Sequence, residues 1–576
     1  MKLQNTVETI ARRIRVARGE EPADLLFVNG MVLSTFTGEI LLEPVAVVDG
    51  AIAAVGGDLP EAKETVDLGG AILAPSFIDA HIHIESSMLT PEGFAEAVVP
   101  HGTGATVSDP HEIVNVLGLK GLAYMQKASA ELPMDIFWTL PSCVPATDME
   151  SAGARLDSAT LAAALADHPD LTALSEMMNF PGVLHGAPDV LRKIRDARSR
   201  GMIVDGHSPG LTGEDLNGYV AAGITTDHEC LGAAEAKEKL RRGMWVLMRE
   251  GSAAKNLRDL LPAVTEQNLH RVCIASDDRH PDDLVREGHL DHSLRIAVAN
   301  GLDPLWAVRM VTLNPAQLYG LDGRGGIAPS YRADLVVLED LKEFRIRSVY
   351  HGGVKVAEND TLLVALRKHV DEEALSSVHL PDDLGERLRG YPEKGRVRVI
   401  GVEPDQIVTR HEVRDASEAG PGRPLQFAAV AERHGNTGSV GLGFVEGFDL
   451  AEGAMASTVA HDSHNLVMVG ATPEEMRHAA EVVAKMGGGF AVVCGGEVLA
   501  SLPLSVGGLM SRGRASELSE ALGRVHEAVG SLHCSLPAPF MTLSFIALPV
   551  IPSLKLTDRG LVDVEAFDFV SLSAEG

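Results

Sequence analysis

The feature that most constrains this chain is an alternation, from about Ala74 to Asn314, of short apolar β-type segments with helical stretches. Eight such segments follow one another: SFIDAHIHI, GATVSDP, DIFWTL, ALSEMMN, MIVDGHS, ITTDHEC, MWVLMRE and RVCIASDD. Strands buried on both faces read as apolar runs, and eight of them separated by helices over about 250 residues predict a (β/α)8 barrel. The polar residues fall at the C-terminal ends of these strands, where such barrels carry their chemistry. A helix through ANGLDPLWAVRMVTLNPAQLYG, ended by Gly320, is expected to close the barrel.

Both flanks of this region read as all-β. DLLFVNG, MVLST, PVAVVDG and AIAAVGG follow a helix-like N-terminal stretch, and ADLVVLED and SVYHGGVKVAEND resume the pattern at 333–360. The two blocks are expected to pair into a small β-sandwich. From about Arg396 a third region combines Gly-rich apolar strands with the helical segments TPEEMRHAAEVVAKM and SELSEALGRVHEAVG, which predicts an additional C-terminal α/β domain. A chain of 576 residues exceeds the ~250–300 at which one core stops growing. The expected division is 1–73 for the N-terminal helix and first part of the sandwich, 74–322 for the barrel, 323–395 for the rest of the sandwich, and 396–576 for the C-terminal domain.

Lys and Arg number 50 against 80 Asp and Glu, a formal charge of -30 that repels phosphate backbones and anionic membrane surfaces. Nucleic acid and membrane are therefore excluded as expected partners, and a small neutral or cationic ligand is favoured. The five cysteines, Cys143, Cys230, Cys273, Cys494 and Cys534, are scattered without a CxxC pair and read as reduced thiols. There is no 18-residue apolar run and no apolar signal core near the N-terminus, and Glu8, Glu20 and Glu21 argue against a transit peptide. A cytoplasmic location is expected.

The strongest chemical signal is FIDAHIHIESS, in which strand periodicity turns His81 and His83 to one face. Alone, such a pair equally describes two hydrogen-bonded structural histidines. Glu176, His207, His228 and Asp277 add four more ligand-type residues, each at the end of a predicted strand. Any one of them could cap a helix or satisfy a loop. Six in barrel register point to a shared cation site of nitrogen and carboxylate donors without thiolate, a set that selects Mn, Fe or Zn.

At this point the chain resembles the amidohydrolase superfamily, whose members place HxH on the first strand, a bridging carboxylate on the fourth, histidines on the fifth and sixth and an aspartate on the eighth. Many members bridge two metals with a carboxylated lysine, but no lysine lies between Lys127 and Lys193, so Glu176 takes that slot. That glutamate, APSFIDAHIHIESSM, SDDRHPDDLVREGHLDH and, beyond the barrel, VAHDSHN and ALPVIPSLKLTDRGLVDV resemble the bacterial adenine deaminases over nearly the whole chain. The resemblance implies hydrolytic deamination of a purine at two divalent ions, manganese or iron before zinc, in a homodimer or higher homo-oligomer. Two ions about 3.5–4 Å apart would activate a shared water, with Asp277 taking its proton. An alternative on the same scaffold is a cyclic amidase of the dihydroorotase or hydantoinase kind; one of another class is a metal-loaded binding protein without turnover.

Glu112, in SDPHEIVN, is the candidate to protonate the purine ring, and Asp109, His111, Asp278 and Arg279 are candidate substrate contacts. Asp109 and Glu112 equally fit a capping box for the following helix. VAHDSHN reads as a turn before it reads as a metal cluster, with His461 and His464 as candidates for closing the site if this domain reaches the barrel mouth. The GGG at 487–489 reads as a turn, because no Lys-Ser/Thr follows it.

Overall fold

The computed structural model describes residues 5–574 apart from 58–60, 405 and 407. Eight parallel strands form the barrel: β1 (Phe77–Ile82), β2 (Thr103–Ser108), β3 (Asp135–Trp138), β4 (Ala173–Met177), β5 (Ile203–Gly206), β6 (Thr226–Asp227), β7 (Trp245–Arg249) and β8 (Val272–Ala275). Ladders join β1–β2–β3, β4–β5 and β6–β7–β8. A Leu140–Leu174 bridge, a Thr225 N–H to Val204 carbonyl bond of 2.9 Å and an Ile82–Asp277 bridge close the remaining seams. All eight expected segments thus become barrel strands.

The expected closing helix is broken. Its sequence forms Pro304–Met310 and Leu313–Leu318, separated at Val311 and Thr312. The Asp303 carboxylate accepts from the Leu305 N–H at 2.8 Å and starts a new helix, and Pro315, which has no N–H, cannot continue the earlier one.

The flanking β-blocks do pair. Leu335–Leu338 runs antiparallel to Ile72–Pro75, with Leu335 opposite Pro75, inside a seven-stranded sheet. A four-stranded sheet containing Ala23–Val28 faces it, and Phe27, Val45, Val47, Leu73, Leu335 and Tyr350 meet in the core between them. One residue, Ser76, separates Ile72–Pro75 from β1, so the sandwich directly anchors the barrel strand that carries the HxH pair.

The C-terminal region is an eight-stranded sheet in which every pairing is antiparallel except Arg396–Val402 with Val440–Glu446. Helix Pro473–Lys485, capped by Thr472, buries Met476, Ala479, Ala480 and Val483 on it. Helix Ala515–Ser531 packs as a second layer. This region is tied to the loop after β3: Asn465 Nδ2 donates to the Ser151 carbonyl at 2.7 Å, and the Thr557 hydroxyl to the Met149 carbonyl at 2.8 Å. Those bonds set the segment 459–465 over the barrel mouth. The five cysteines are free thiols. Among the described residues, no helix is long and apolar enough to cross a membrane.

Candidate active site

At the end of β1 the pleat turns Asp79, His81 and His83 to one face. Below the histidines, Asp79 accepts from the Ser276 N–H at 3.1 Å and pairs with His289 at 3.1 Å, pinning β1 to β8. His83 donates Nδ1–H to the Asp109 carbonyl at 3.1 Å, which leaves the Nε2 lone pair of the neutral ring facing inward. That Nε2 lies 3.1 Å from His81 Nε2, 3.4 Å from Asp277 Oδ1 and 3.4 Å from Glu176 Oε1. The other Glu176 oxygen stands 2.7 Å from His207 Nδ1 and 3.2 Å from His228 Nε2. Donor atoms bound about 2.1 Å from one ion are separated by about 3.0–3.4 Å. The cluster therefore has the spacing of ligands, with one Glu176 oxygen facing His83 and the other facing His207 and His228.

Asp277 sits just beyond β8 at φ 57, a left-handed conformation rare for a residue other than glycine. Its backbone is clamped there, donating to the His81 carbonyl at 3.0 Å and accepting from the His83 N–H at 3.3 Å. Such strain, over-determined by neighbours, is typical of functional positions. Burial pushes the Asp277 carboxyl up, but hydrogen bonds from His81 and His83 and the Arg249 charge outweigh it and hold the group well below the usual range. Glu176 behaves alike, its burial outweighed by His207 and His228. Burial pushes His207 down, yet Glu229 and Glu176 carry it up to about 9.

Beneath the ligands are buried cations that the sequence reading missed. Lys239, from helix Ala233–Arg241, is fully buried and donates to Asp227, Glu235 and the Ser208 carbonyl, each at 2.7 Å. Asp227 in turn accepts from the Ser208 N–H at 2.8 Å, so one ion pair fixes the backbone beside both His207 and His228. Lys193 similarly holds the Ser142 carbonyl at 2.9 Å, while the Ser142 hydroxyl donates to the Glu176 carbonyl. Gly206 is required by a close approach, since a Cβ there would lie 2.2 Å from the Thr226 carbonyl oxygen.

Arg249, at the end of β7, donates to Asp277 Oδ2 at 2.8 Å and binds Glu229 through both η nitrogens. Glu229 itself stands 3.5 Å from His228 Nε2. Both are strand-end polar residues, the same signal that singled out the six ligand candidates, whereas Lys239 lies mid-helix and carried no such signal.

Neither carboxylate of the Asp109/Glu112 pair caps the helix His111–Leu117, whose N-cap is Pro110. It is Glu85, unsuspected from sequence, that accepts the Ile113 N–H at 3.2 Å. Glu112 instead accepts the Ser86 hydroxyl at 2.9 Å, and Ser86 also reaches Asp278 Oδ1 at 2.6 Å. Burial raises the Glu112 carboxyl, and burial with the Glu112 charge lifts Glu85 to about 8. Asp109 Oδ2 pairs with His111 Nδ1 at 3.2 Å, while Asp109 Oδ1 and His111 Nε2 are buried without a hydrogen-bond partner. Arg279 bonds the Glu287 carboxylate at 2.6 Å and reaches the carbonyls of Glu250, Gly251 and Gly288, partners that brace its own loop.

Two family models match the chain, the amidohydrolase family over residues 72–356 and the adenine deaminase C-terminal domain over 405–568. An adenine deaminase of Desulfatibacillum aliphaticivorans is 47% identical over 565 residues, covering 97% of this chain and 99% of the relative. One of Nitratidesulfovibrio vulgaris is 48% identical over 571 residues, covering 97% and 98%. The chain belongs to the adenine deaminase family. The amidohydrolase match spans all eight barrel strands, whereas the segment 459–465 over the mouth lies in the part matched by the family's C-terminal domain.

Proposed function

We propose that the chain hydrolyses adenine to hypoxanthine and ammonia. The observation that carries this reading is the set of six donor-bearing side chains at 2.7–3.5 Å spacing in a chain 47% identical to an adenine deaminase over 97% of its length. His81, His83 and Asp277 form one cation position and His207 and His228 the other, with Glu176 between them. Nitrogen and carboxylate donors without thiolate fit manganese or iron, with zinc a third option. When bound, such ions supply Lewis-acid polarisation and a water that is deprotonated near neutral pH.

The remaining steps belong to side chains. Asp277 is the group assigned to receive a proton from the attacking water, and Arg249, bonded to its Oδ2, fixes the carboxylate plane. Protonation of ring N1 is assigned to Glu112, whose carboxyl is raised above its ordinary range by burial. Ser86 bonds both Glu112 and Asp278, which supports reading Asp278 as a substrate contact beside Glu112. Asp109 and His111 are proposed purine contacts, because Asp109 Oδ1 and His111 Nε2 are buried without a hydrogen-bond partner and His111 Nδ1 lies 3.5 Å from Glu176; Arg279 is proposed as a loop brace.

The test is an ammonia-release assay on adenine, adenosine and related purines, run beside ring-opening assays on dihydroorotate and hydantoin. Ammonia from adenine without ring opening is expected. Ring opening in the absence of adenine turnover would replace this reading with that of a cyclic amidase.

A further inference from the structure

We propose that His461, supplied by the C-terminal domain, is a positioning residue and proton relay through which Glu112 exchanges with solvent. The inference rests on the reading of Glu112 as the acid that protonates the purine ring. His461 Nδ1 lies 3.4 Å from Glu112 Oε1, and Asp462 Oδ1 lies 3.9 Å from His111 Nε2. Residues that follow β2 in the barrel and residues of the C-terminal domain therefore share one side-chain cluster.

Three anchors hold His461 there. Its backbone N–H donates to the Ser544 hydroxyl at 2.9 Å, its ring lies 18° from parallel to Phe545, and Asn465 ties the segment to the loop after β3. Both Ser544 and Phe545 belong to the helix Pro539–Phe545 of the C-terminal domain. The Glu112 side chain is 1% exposed and that of His461 14%, so His461 is the more solvent-accessible member of the pair. The other hydrogen-bonding neighbour of Glu112 Oε1 is the Ser86 hydroxyl, which also reaches the half-buried Asp278 carboxylate.

A third cation site is the competing use of this cluster, since Glu112, His461 and His464 have donor atoms within 4.8 Å of one another. The hydrogen bonding of His464 argues against it. His464 Nδ1 accepts the Ala460 N–H at 3.1 Å, which puts the proton of the neutral ring on Nε2 and leaves that buried nitrogen without a lone pair for a metal. An imidazole beside a carboxyl, in contrast, is a proton-transfer pair at the observed distance once either side chain closes a few tenths of an ångström. The charged and titratable groups facing His461 are Glu112 from the barrel, His280 from the loop after β8, and Asp462 and His464 from its own segment.

The proton count closes. Glu112 gives its proton to N1, His461 Nδ1–H restores it, and His461 takes up one proton from solvent. Both protons of the attacking water leave with the amine, so adenine, water and one proton give hypoxanthine and ammonium.

The test uses full-length, metal-loaded protein and steady-state kinetics on adenine, with Glu112→Gln in parallel. His461→Ala is expected to lower kcat about tenfold to a hundredfold with KM within about threefold, and added imidazole is expected to restore much of the loss. His461→Gln, which can still hydrogen-bond Glu112 but cannot carry a proton, is expected to stay as slow as His461→Ala. Native kcat in His461→Ala, or recovery with Gln but not with imidazole, overturns the relay while leaving Glu112 in place. Normal turnover by Glu112→Gln instead removes the underlying reading of Glu112, a distinguishable failure.

Discussion

Replacing Glu176 by Gln exchanges one carboxylate oxygen for an NH2 group and removes the charge of a side chain that faces both His83 and the His207–His228 pair. Its Oε1 lies 3.4 Å from His83 Nε2 and its Oε2 2.7 Å from His207 Nδ1, so each oxygen would serve a different one of the two proposed cation positions. Half a unit charge about 2.1 Å from a dication is worth about 8 kcal/mol at an effective dielectric of about 20. An amide keeps one oxygen and turns an NH2 group towards the other ion, which forfeits that attraction at one position. Burial of the carboxylate offsets part of it, so the net loss expected is about 3–4 kcal/mol, roughly two to three decades in affinity. The assay is metal counting after purification with added metal and dialysis, followed by ammonia release from adenine. Native protein should retain two ions per chain and the variant one or none, with turnover lost. Two ions retained by the variant at native affinity would refute the bridging geometry.

Asp277→Asn should keep much of the metal, because an amide oxygen can still face His81 and His83, while adenine turnover falls about 10²–10⁴-fold in steady-state assays. Lys239→Met strands the fully buried Asp227 carboxylate and should destabilise the fold by about 3–5 kcal/mol in denaturant titration. Arg345→Ala, at an exposed pair with Glu339, should cost less than about 1 kcal/mol in the same experiment. His207 titrates at about 9 before metal binds, so below that pH a proton must leave as the ion enters. Apparent metal affinity should therefore weaken as pH falls below about 9, by at least about one decade per pH unit, and an affinity flat from pH 9 to 6 would contradict this.

The parts of the fold legible in the sequence were those with a local period. Eight apolar runs gave eight strands, and the polar residue at each strand end fell on the barrel mouth because parallel strands all point the same way. The helix through 299–320 misled, since its apolar spacing is continuous while Asp303 and Pro315 interrupt the backbone. Local motifs also could not say where Glu112 would point. The Asp109-x-x-Glu112 spacing matches a capping box, but Ser86 and His461, 26 residues before Glu112 and 349 after it, compete for the carboxylate. Lys239 was invisible for a related reason: a lysine on a charged helix reads as solvated until the tertiary structure buries it against Asp227. Arg249 and Glu229 carried the same strand-end signal as the proposed ligands and could have been found.

The most direct test of the whole account is the metal content and adenine turnover of the native protein measured on one sample, before and after chelation. Two divalent ions per chain, ammonia released from adenine, and loss of that activity on chelation with recovery on adding back manganese or iron are expected. A fully loaded protein that releases no ammonia from adenine, or one that keeps its activity with the ions removed, would contradict it.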